Sequence, residues 1–351
     1  MHTLPLGKLP LELLTKLLSQ APTNDPRVLV GPGIGLDCAV IELEDTCLVF
    51  KTDPITFATD EIGWYVVQIN ANDIATTGAV PRWFLVTVLL PERNTTPETV
   101  EKISKQIFEA SLALGISVIG GHTEITQGLD RPIIVGTMIG EVPLEQLVTP
   151  RGASPGERIL LSKGIPIEGT AILAREFHEK LKKMLTPDEI KAASDYLYTP
   201  GISVVREAQL ATQTGKITAM HDPTEGGLAG ALWELAEACD HTIRIDPQAI
   251  TISPLSEKIC DTFGLNPLAT IASGALLMTV PADEVSKICR ALANEGILCS
   301  EIGSVEEGPV QVQQSTPEGD RLLPRPERDE IARVFDDLDW RNEEGSNSQQ
   351  D

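Results

Sequence analysis

Residues 216–239, KITAMHDPTEGGLAGALWELAEAC, combine three structural elements in one short stretch. The apolar start predicts a strand, HDPTE predicts a polar loop, and the paired glycines precede a helix. Toward the N-terminus, PIIVGTMIG at 132–140 predicts another strand, and TPE at 96–98 predicts the start of a helix. Strands that alternate with helices in this way indicate a mixed α/β fold.

Polar residues interrupt the apolar segments of the N-terminal part. Residues 31–53, GPGIGLDCAVIELEDTCLVFKTD, predict a loop, a strand, a turn and a second strand that ends at Asp53. Residues 61–78 are mostly apolar but contain Asn70 and Asp73. The three-residue step between them places both side chains on one helical face.

A run of turn-forming residues divides the chain. Residues 149–157, TPRGASPGE, are dense in Pro, Gly and small polar residues, as is typical of a domain boundary. We therefore predict an N-terminal domain at 1–148 and a C-terminal domain at 156–335. The polar residues 340–351 predict a disordered tail.

Composition excludes several classes of function. The formal net charge of −23 argues against a sequence-independent grip on nucleic acid or on an anionic membrane. No stretch approaches the roughly 18 apolar residues of a membrane span, and no signal peptide is evident, so we expect a cytoplasmic protein. The six cysteines form no CxxC pair, which argues against a zinc site or a disulfide framework. A small anion such as ATP remains compatible with the acidic chain, because carboxylates can recruit its metal ion.

Four acidic residues lie in predicted loops or at the edges of strands and helices, close to glycines: Asp37, Asp53, Asp73 and Asp222. Mg²⁺ prefers hard oxygen ligands and is usually held by one or two carboxylates together with nucleotide phosphates. Several converging carboxylates therefore suit a nucleotide enzyme. Any one of them is also explained by local hydrogen bonding at a turn or a helix cap.

Two glycine pairs, Gly120–Gly121 and Gly226–Gly227, are predicted at a strand end and at a helix start. Backbone N–H groups at such positions can approach phosphate oxygens, although glycine at a tight turn has the same appearance. His122 and His221 fall in the polar loops beside these pairs and could position a substrate or exchange a proton. Neither GxxxxGK[ST] nor GxGxxG is present, so a P-loop or dinucleotide fold is not expected. A GxSxG elbow is also missing, so covalent catalysis has no support.

Five motifs in order resemble the superfamily of aminoimidazole ribonucleotide (AIR) synthase and the hydrogenase maturation factor HypE, which includes thiamine monophosphate kinase and selenophosphate synthetase. The motifs span residues 31–239: GPGIGLDCAVI, FKTDPITF, NANDIATTGAVPR, ISVIGGHTEIT and HDPTEGGLAGALWELAEAC. The nearest match is HypE, and FGLNPLATIASGALLMTV resembles its next segment.

The resemblance implies a two-domain PurM-like α/β (α+β) fold. Its N-terminal domain would form a β-barrel in a homodimer, and ATP with Mg²⁺ would lie between the two domains. Phosphorylation of a carbonyl-type or phosphate oxygen would then create a leaving group. The implied catalytic residues are Asp53, His122 and Asp222, and the implied metal ligands are Asp37, Asp53, Asp73 and Asp222. The implied nucleotide-binding residues are Asp37, Asn72, Asp73, Gly120, Gly121, Thr123, Thr224, Gly226 and Gly227.

Three positions depart from the pattern of the family. His122 stands where relatives carry an acidic residue after the paired glycines, and Glu124 is a candidate to compensate. Glu225 stands where HypE has arginine, which reverses a charge next to the expected phosphates. HypE ends in a cysteine that carries its carbamoyl group, whereas no cysteine follows Cys299 here, so self-modification is not expected.

Two hypotheses follow from these observations. In the first, the chain is an ATP-dependent enzyme that acts on a small molecule or on a group carried by a partner protein, with hydrogenase maturation implied by kinship. In the second, it is a non-catalytic nucleotide-binding assembly factor, and His122 and Glu225 mark lost chemistry. Magnesium-dependent turnover of ATP distinguishes the two.

Overall fold

The structure, a computed structural model, describes residue 4 and residues 9–33, 35–56 and 60–336. The tail predicted at 340–351 lies outside the described residues. Within the described ranges, no helix is both long and apolar enough to cross a lipid bilayer.

The chain forms two compact units. The first runs to Pro150 and also includes Ser203–Gln213, and the second comprises Arg151–Ile202 and the chain from Thr214 onward. The limits expected from the sequence, 1–148 and 156–335, place residues 203–213 in the second domain, whereas these residues belong to the first unit. A short segment therefore returns to the first unit after the chain has entered the second.

The sheet of the first unit has six strands: β1 (Val28–Val30), β2 (Ala39–Leu43), β3 (Thr46–Ile55), β4 (Val80–Pro91), β5 (Ser117–Thr126) and β6 (Ile133–Pro143). Their order across the sheet is β1-β2-β3-β6-β4-β5. Neighbours are antiparallel except β4 and β5, which pair in parallel. β5 therefore forms an edge of the sheet, and most of its residues are exposed.

Three helices precede the second unit: α1 (Leu11–Leu18), α2 (Ile62–Thr76) and α3 (Pro97–Ala113). All residues of α2 except Trp64 are buried, as expected for a helix that is apolar around most of its circumference. α2 contacts β3, β4, β6 and α3, so it lies at the centre of the first unit. The predicted helix start at Thr96 is confirmed, because its hydroxyl oxygen accepts the N–H of Thr99.

A glycine allows α2 and α3 to approach each other closely. A Cβ atom at Gly63 would lie 2.5 Å from the carbonyl oxygen of Ile103 and 2.9 Å from Cβ of Gln106. The Gly63 N–H instead donates to Oε1 of Gln106 at 3.1 Å. This contact fixes α2, and with it the polar residues near its C-terminal end.

The sheet of the second unit has seven strands: β7 (Arg158–Ser162), β8 (Ala219–His221), β9 (Thr242–Ile245), β10 (Leu277–Val280), β11 (Cys299–Glu306), β12 (Gln311–Thr316) and β13 (Gly319–Leu322). Their order is β13-β12-β9-β11-β7-β10-β8. Neighbouring strands in this order are antiparallel, except that β12 and β9 pair in parallel. β8 therefore ends at one edge of the sheet.

Seven further helices follow in chain order: α4 (Ile167–Glu176), α5 (His178–Leu181), α6 (Pro187–Ser194), α7 (Val205–Thr214), α8 (Gly227–Cys239), α9 (Pro254–Phe263) and α10 (Val285–Asn294). In the second unit, Leu228, Leu232 and Leu235 of α8 pack into one apolar core with residues of β7, β9 and β11. A separate apolar core joins α4, α5, α6 and α9. The mixed α/β class expected from the sequence is confirmed in both units.

Two expectations about strands are wrong. HTEIT is not a loop and the strand does not end at Gly120–Gly121, because β5 continues to Thr126. Paired glycines followed by polar residues usually mark a turn, but an edge strand accepts polar residues on both faces, and Gly121 leaves room for the backbone of Val86. Asp53 is not at a strand exit either, since β3 continues to Ile55 and pairs Asp53 with Gly136.

Candidate functional site

Three of the predicted carboxylates converge on one lysine in the first unit. Nζ of Lys51 lies 3.2 Å from Oδ2 of Asp73, 3.7 Å from Oδ2 of Asp53 and 3.8 Å from Oδ1 of Asp37. The side chains of Lys51 and Asp73 are 11% and 5% exposed, whereas those of Asp37 and Asp53 are 38% and 39% exposed. We call these four residues the Lys51 cluster. It has a buried half and a half that faces solvent.

Local structure explains why these residues meet. Lys51 and Asp53 are two positions apart on β3, so their side chains leave the same face of the sheet. Asp73 lies near the C-terminal end of α2, which contacts β3. The thiol of Cys38, next to Asp37, donates to the carbonyl oxygen of Asp73 at 3.3 Å, which holds the loop before β2 against α2.

Charge within the Lys51 cluster favours a protonated lysine. Burial by itself would lower the pKa of Lys51, but Asp73, Asp37 and Asp53, in order of decreasing influence, raise that pKa above its usual value. The ammonium group therefore stays charged at neutral pH. Sequence reasoning missed Lys51, although its two-residue spacing from Asp53 within a predicted strand was a usable signal.

Two asparagines of α2 fix the surrounding backbone. The Asn70 amide donates to the carbonyl oxygen of Asp53 at 3.3 Å and to that of Val66 at 2.8 Å. Oδ1 of Asn72 accepts the N–H of Val204 at 2.8 Å, which binds the returning segment 203–213 to α2. The nucleotide-binding role predicted for Asn72 stays a prediction, while its structural role is visible.

The residues predicted around His122 lie on the exposed edge strand. Gly120, Gly121, His122 and Thr123 are consecutive in β5, and all four are exposed. Nε2 of His122 lies 3.2 Å from Oε2 of Glu124, two positions along the strand. Glu124 therefore pairs with His122, and the roles predicted for these residues in nucleotide binding and catalysis stay predictions.

Asp222 belongs to the second unit, where it directly follows β8 and is buried. His221 beside it is also buried, with Nε2 2.7 Å from Oε2 of Glu234 and Nδ1 4.0 Å from Oδ1 of Asp222. Glu234 on α8 orients this imidazole, and sequence reasoning did not identify it. The catalytic and metal-binding roles of Asp222 stay predictions.

The turn before α8 is shaped for close backbone approach. Gly226 and Gly227 have φ values of 82° and 61°, in the left-handed region that favours glycine. Oδ2 of Asp329 accepts the Gly226 N–H at 2.7 Å, and the carbonyl oxygen of Thr224 accepts the Gly227 N–H at 2.9 Å. A phosphate at this helix start would have to displace Asp329, a residue that the sequence did not single out.

Two buried carboxyl groups of the second unit have raised pKa values. Burial raises the pKa of Glu168 to about 7; the Ser273 hydroxyl lowers that pKa, and Asp329, Glu225 and Asp222 raise it further. Burial also raises the pKa of Asp329 to about 6, although the hydrogen bonds that its carboxylate accepts from backbone N–H groups lower that pKa. Both acids therefore titrate closer to neutral pH than ordinary carboxyl groups do.

The chemistry of the donors decides which residues suit a metal ion. Within the described ranges, no group of three or more His, Cys, Asp or Glu side chains is arranged to hold one. Asp37 and Asp53 nevertheless present two partly exposed carboxylates on the same cluster. Since Mg²⁺ is commonly held by one or two carboxylates plus phosphate oxygens, these two suit an ion that arrives with a nucleotide.

The chain is a two-domain α/β protein, because each of its two units has its own sheet and helices. The first unit gathers three carboxylates at a strand and a buried helix. The chain belongs to the AIR synthase related protein family: the N-terminal domain of that family matches residues 35–142, and the C-terminal domain matches residues 154–314. The family resemblance inferred from the motifs is therefore confirmed.

Two curated relatives are similar to this chain over most of its length. A putative hydrogenase expression/formation protein of Methanocaldococcus jannaschii is 32% identical over 320 residues, which cover 87% of this chain and 91% of that protein. The carbamoyl dehydratase HypE of Escherichia coli is 26% identical over 264 residues, which cover 73% of this chain and 75% of that enzyme.

Solved structures share the fold. A HypE structure in complex with ATP matches with a TM-score of 0.68 and 24% identity over 90% of this chain and 90% of that chain. The structure of a HypE–HypF complex matches with a TM-score of 0.68 and 22% identity over 82% of this chain and 93% of that chain. The PurM-like fold expected from the sequence is confirmed in its two mixed α/β domains.

Proposed function

We propose that this chain is an ATP- and Mg²⁺-dependent enzyme of the AIR synthase and HypE type. It phosphorylates a carbonyl-type or phosphate oxygen of a small molecule or of a group carried by a partner protein, in hydrogenase maturation. The observation that carries this proposal is the convergence of Asp37, Asp53 and Asp73 from three separate segments onto Lys51. The relatives named carbamoyl dehydratase and the HypE complex with ATP support it.

The residues of the Lys51 cluster would act by position and charge. Asp37 and Asp53 would hold Mg²⁺ together with the phosphates, and the ion would neutralise negative charge on the transferring phosphoryl group. The buried ammonium group of Lys51 holds these two carboxylates in place through its ion pairs with them. The γ-phosphoryl group passes to the acceptor oxygen, ADP departs, and the phosphorylated oxygen becomes a leaving group.

We propose that the acceptor is a small molecule or a group carried by a partner protein. The structure of a HypE–HypF complex supports a maturation partner protein for this chain. All six cysteines are free thiols, which agrees with the cytoplasmic location that we propose.

We also propose a homodimer formed through the first unit. β5 lies at the sheet edge and exposes Ile119 and Ile125, while α3 exposes Phe108 and Leu112. Unpaired strand edges and contiguous apolar surface are typical of interfaces between protein chains. A second copy of the chain would cover this edge.

One observation favours the alternative of a non-catalytic assembly factor. The Gly226 N–H, which a phosphate at the start of α8 would need, already donates a hydrogen bond to Asp329. While Asp329 accepts this hydrogen bond, the start of α8 does not offer the Gly226 N–H to a phosphate. Binding without turnover would be the sign of this alternative.

Substitution of Asp53 tests the proposed enzyme. We expect slow Mg²⁺-dependent ATP hydrolysis by the wild type and a loss of about 100-fold in Asp53→Asn, since the substitution removes a carboxylate that would hold Mg²⁺. The matched control is Asp45→Asn, an exposed carboxylate in the turn that precedes β3. ATP binding with no turnover would favour the assembly factor, and no binding at all would refute the nucleotide site.

A further inference from the structure

A lysine at the centre of three carboxylates is chemically unexpected in a site that takes a divalent ion with its nucleotide. We infer that Lys51 is a built-in cation that occupies the position of a second metal ion between Asp37, Asp53 and Asp73, so that the site takes a single Mg²⁺. This inference rests on the proposed nucleotide site and deepens it. It assigns Lys51 a positioning role that the sequence motifs did not reveal.

The distances fit an ammonium group and not a metal ion at this point. The three carboxylate oxygens lie 3.2, 3.7 and 3.8 Å from Nζ of Lys51. Mg²⁺ needs its oxygens at about 2.0–2.1 Å, so all three are more than about 1 Å too distant for a shared ion there. An ammonium group tolerates this looser arrangement, because its attraction to carboxylates does not depend on octahedral geometry.

Burial keeps the ammonium group in place. Lys51 lies on β3, which pairs with β2 on one side and with β6 on the other, and only 11% of its side chain is exposed. Its shortest ion pair is with the buried carboxylate of Asp73. Removing Lys51 from this position would leave buried negative charge poorly compensated, which is costly.

Lys51 reduces the negative charge that the three carboxylates present to a metal ion. The three carboxylates and the one ammonium group of the Lys51 cluster together have a formal charge of −2. Without Lys51, the same carboxylates would present a formal charge of −3 around an empty position. Such a position would attract a divalent ion of its own, even before a nucleotide binds.

The exposure of Asp37 and Asp53 places the single Mg²⁺ at the half of the Lys51 cluster that faces solvent. Asp37 and Asp53 form ion pairs with Lys51 and are also partly exposed to solvent. Each can therefore offer an oxygen to an incoming ion. Lys51 would hold these two carboxylates at the spacing needed for that ion. The site would therefore bind its single metal ion mainly in the presence of the nucleotide.

The test is a titration of the full chain with MnCl₂, followed by electron paramagnetic resonance, in the absence of nucleotide. The variants are Lys51→Met, Lys51→Arg to keep the charge, and Lys102→Met as a control that removes an exposed ion pair with Asp60. Lys51→Met is expected to gain one Mn²⁺ site, with affinity at least about 10-fold above that of the wild type. Lys51→Arg and Lys102→Met should behave as the wild type does. Equal Mn²⁺ binding by Lys51→Met and the wild type would overturn the inference.

A second measurement uses only the wild type, in case Lys51→Met does not fold. With a non-hydrolysable ATP analogue bound, the wild type is expected to take up one Mn²⁺ per chain, and two would overturn the role of Lys51. Failure of the wild type to bind the analogue would instead refute the proposed nucleotide site. The nucleotide-free titration of Lys51→Met would still test Lys51 in that case.

Discussion

At the scale of single residues, Glu168 shows how burial creates a dependence on pH. This carboxyl group of α4 is buried, and its pKa is raised from 4.5 to about 7. Between these two values the folded chain holds a proton that the unfolded chain has released. The stability that this proton contributes is complete below pH 4.5 and is lost as the pH rises through about 7.

Glu168→Gln should remove this dependence. A shift of this size corresponds to about 3 kcal/mol, so the wild type should lose up to that amount of unfolding free energy between pH 5 and about pH 8, and the variant much less. Urea denaturation across this range measures the difference. The exposed Glu307→Gln in the same unit is the control and should follow the wild type. Parallel pH profiles for Glu168→Gln and the wild type would contradict the prediction.

The acidic residues of the Lys51 cluster were singled out from the sequence, but their central lysine was not. The sequence predicted Asp37, Asp53 and Asp73 as metal ligands, because carboxylates near glycines and at the edges of strands and helices suit a metal ion. Lys51 lies inside a strand, where a lysine usually extends to solvent. Its burial depends on α2 and on the loop before β2, which sequence spacing does not bring together.

At the scale of elements, the contact between α2 and α3 positions Asp73. Gly63→Ala should destabilise the chain by about 1–3 kcal/mol, because the new methyl group would overlap the carbonyl oxygen of Ile103 and the side chain of Gln106. Chemical denaturation measures the change. Gly230→Ala in α8 is the matched control, since the nearest atom to its Cβ would lie 3.3 Å away. A stabilised Gly63→Ala would show that the two helices separate without cost.

β5 illustrates where local sequence signals fail. Its paired glycines predicted the end of a strand and its polar residues a loop, because a strand with a buried face normally alternates apolar and polar residues. An edge strand that is exposed along most of its length carries no such alternation. The helix start at Thr96 was predictable because its signal, a side chain that caps the backbone, is local.

At the scale of the whole molecule, the proposed homodimer depends on the exposed edge of the first unit. Ile125→Lys should shift the chain toward monomers, because it places a charge on the apolar surface that a second copy would cover. Light scattering coupled to size-exclusion chromatography measures the mass. Leu298→Lys, at an exposed apolar residue of the second unit, is the control and should leave the dimer intact. A monomeric wild type would contradict the proposal outright.

The order of most elements followed from the sequence, but contacts between distant segments did not. Asp329 caps the Gly226 turn from 103 positions away, and Asn72 holds the backbone of Val204 from 132 positions away. Each contact joins residues whose local sequence predicts only a turn or a helix. The return of residues 203–213 to the first unit was missed for the same reason.

The most direct test of the nucleotide site is an anomalous difference map from crystals of the chain grown with a non-hydrolysable ATP analogue and Mn²⁺. We predict one Mn²⁺ peak per chain, bonded to Asp37, Asp53 and a phosphate oxygen, with Nζ of Lys51 still between Asp53 and Asp73. A nucleotide bound away from the Lys51 cluster, or with no Mn²⁺ at those two carboxylates, would contradict the account.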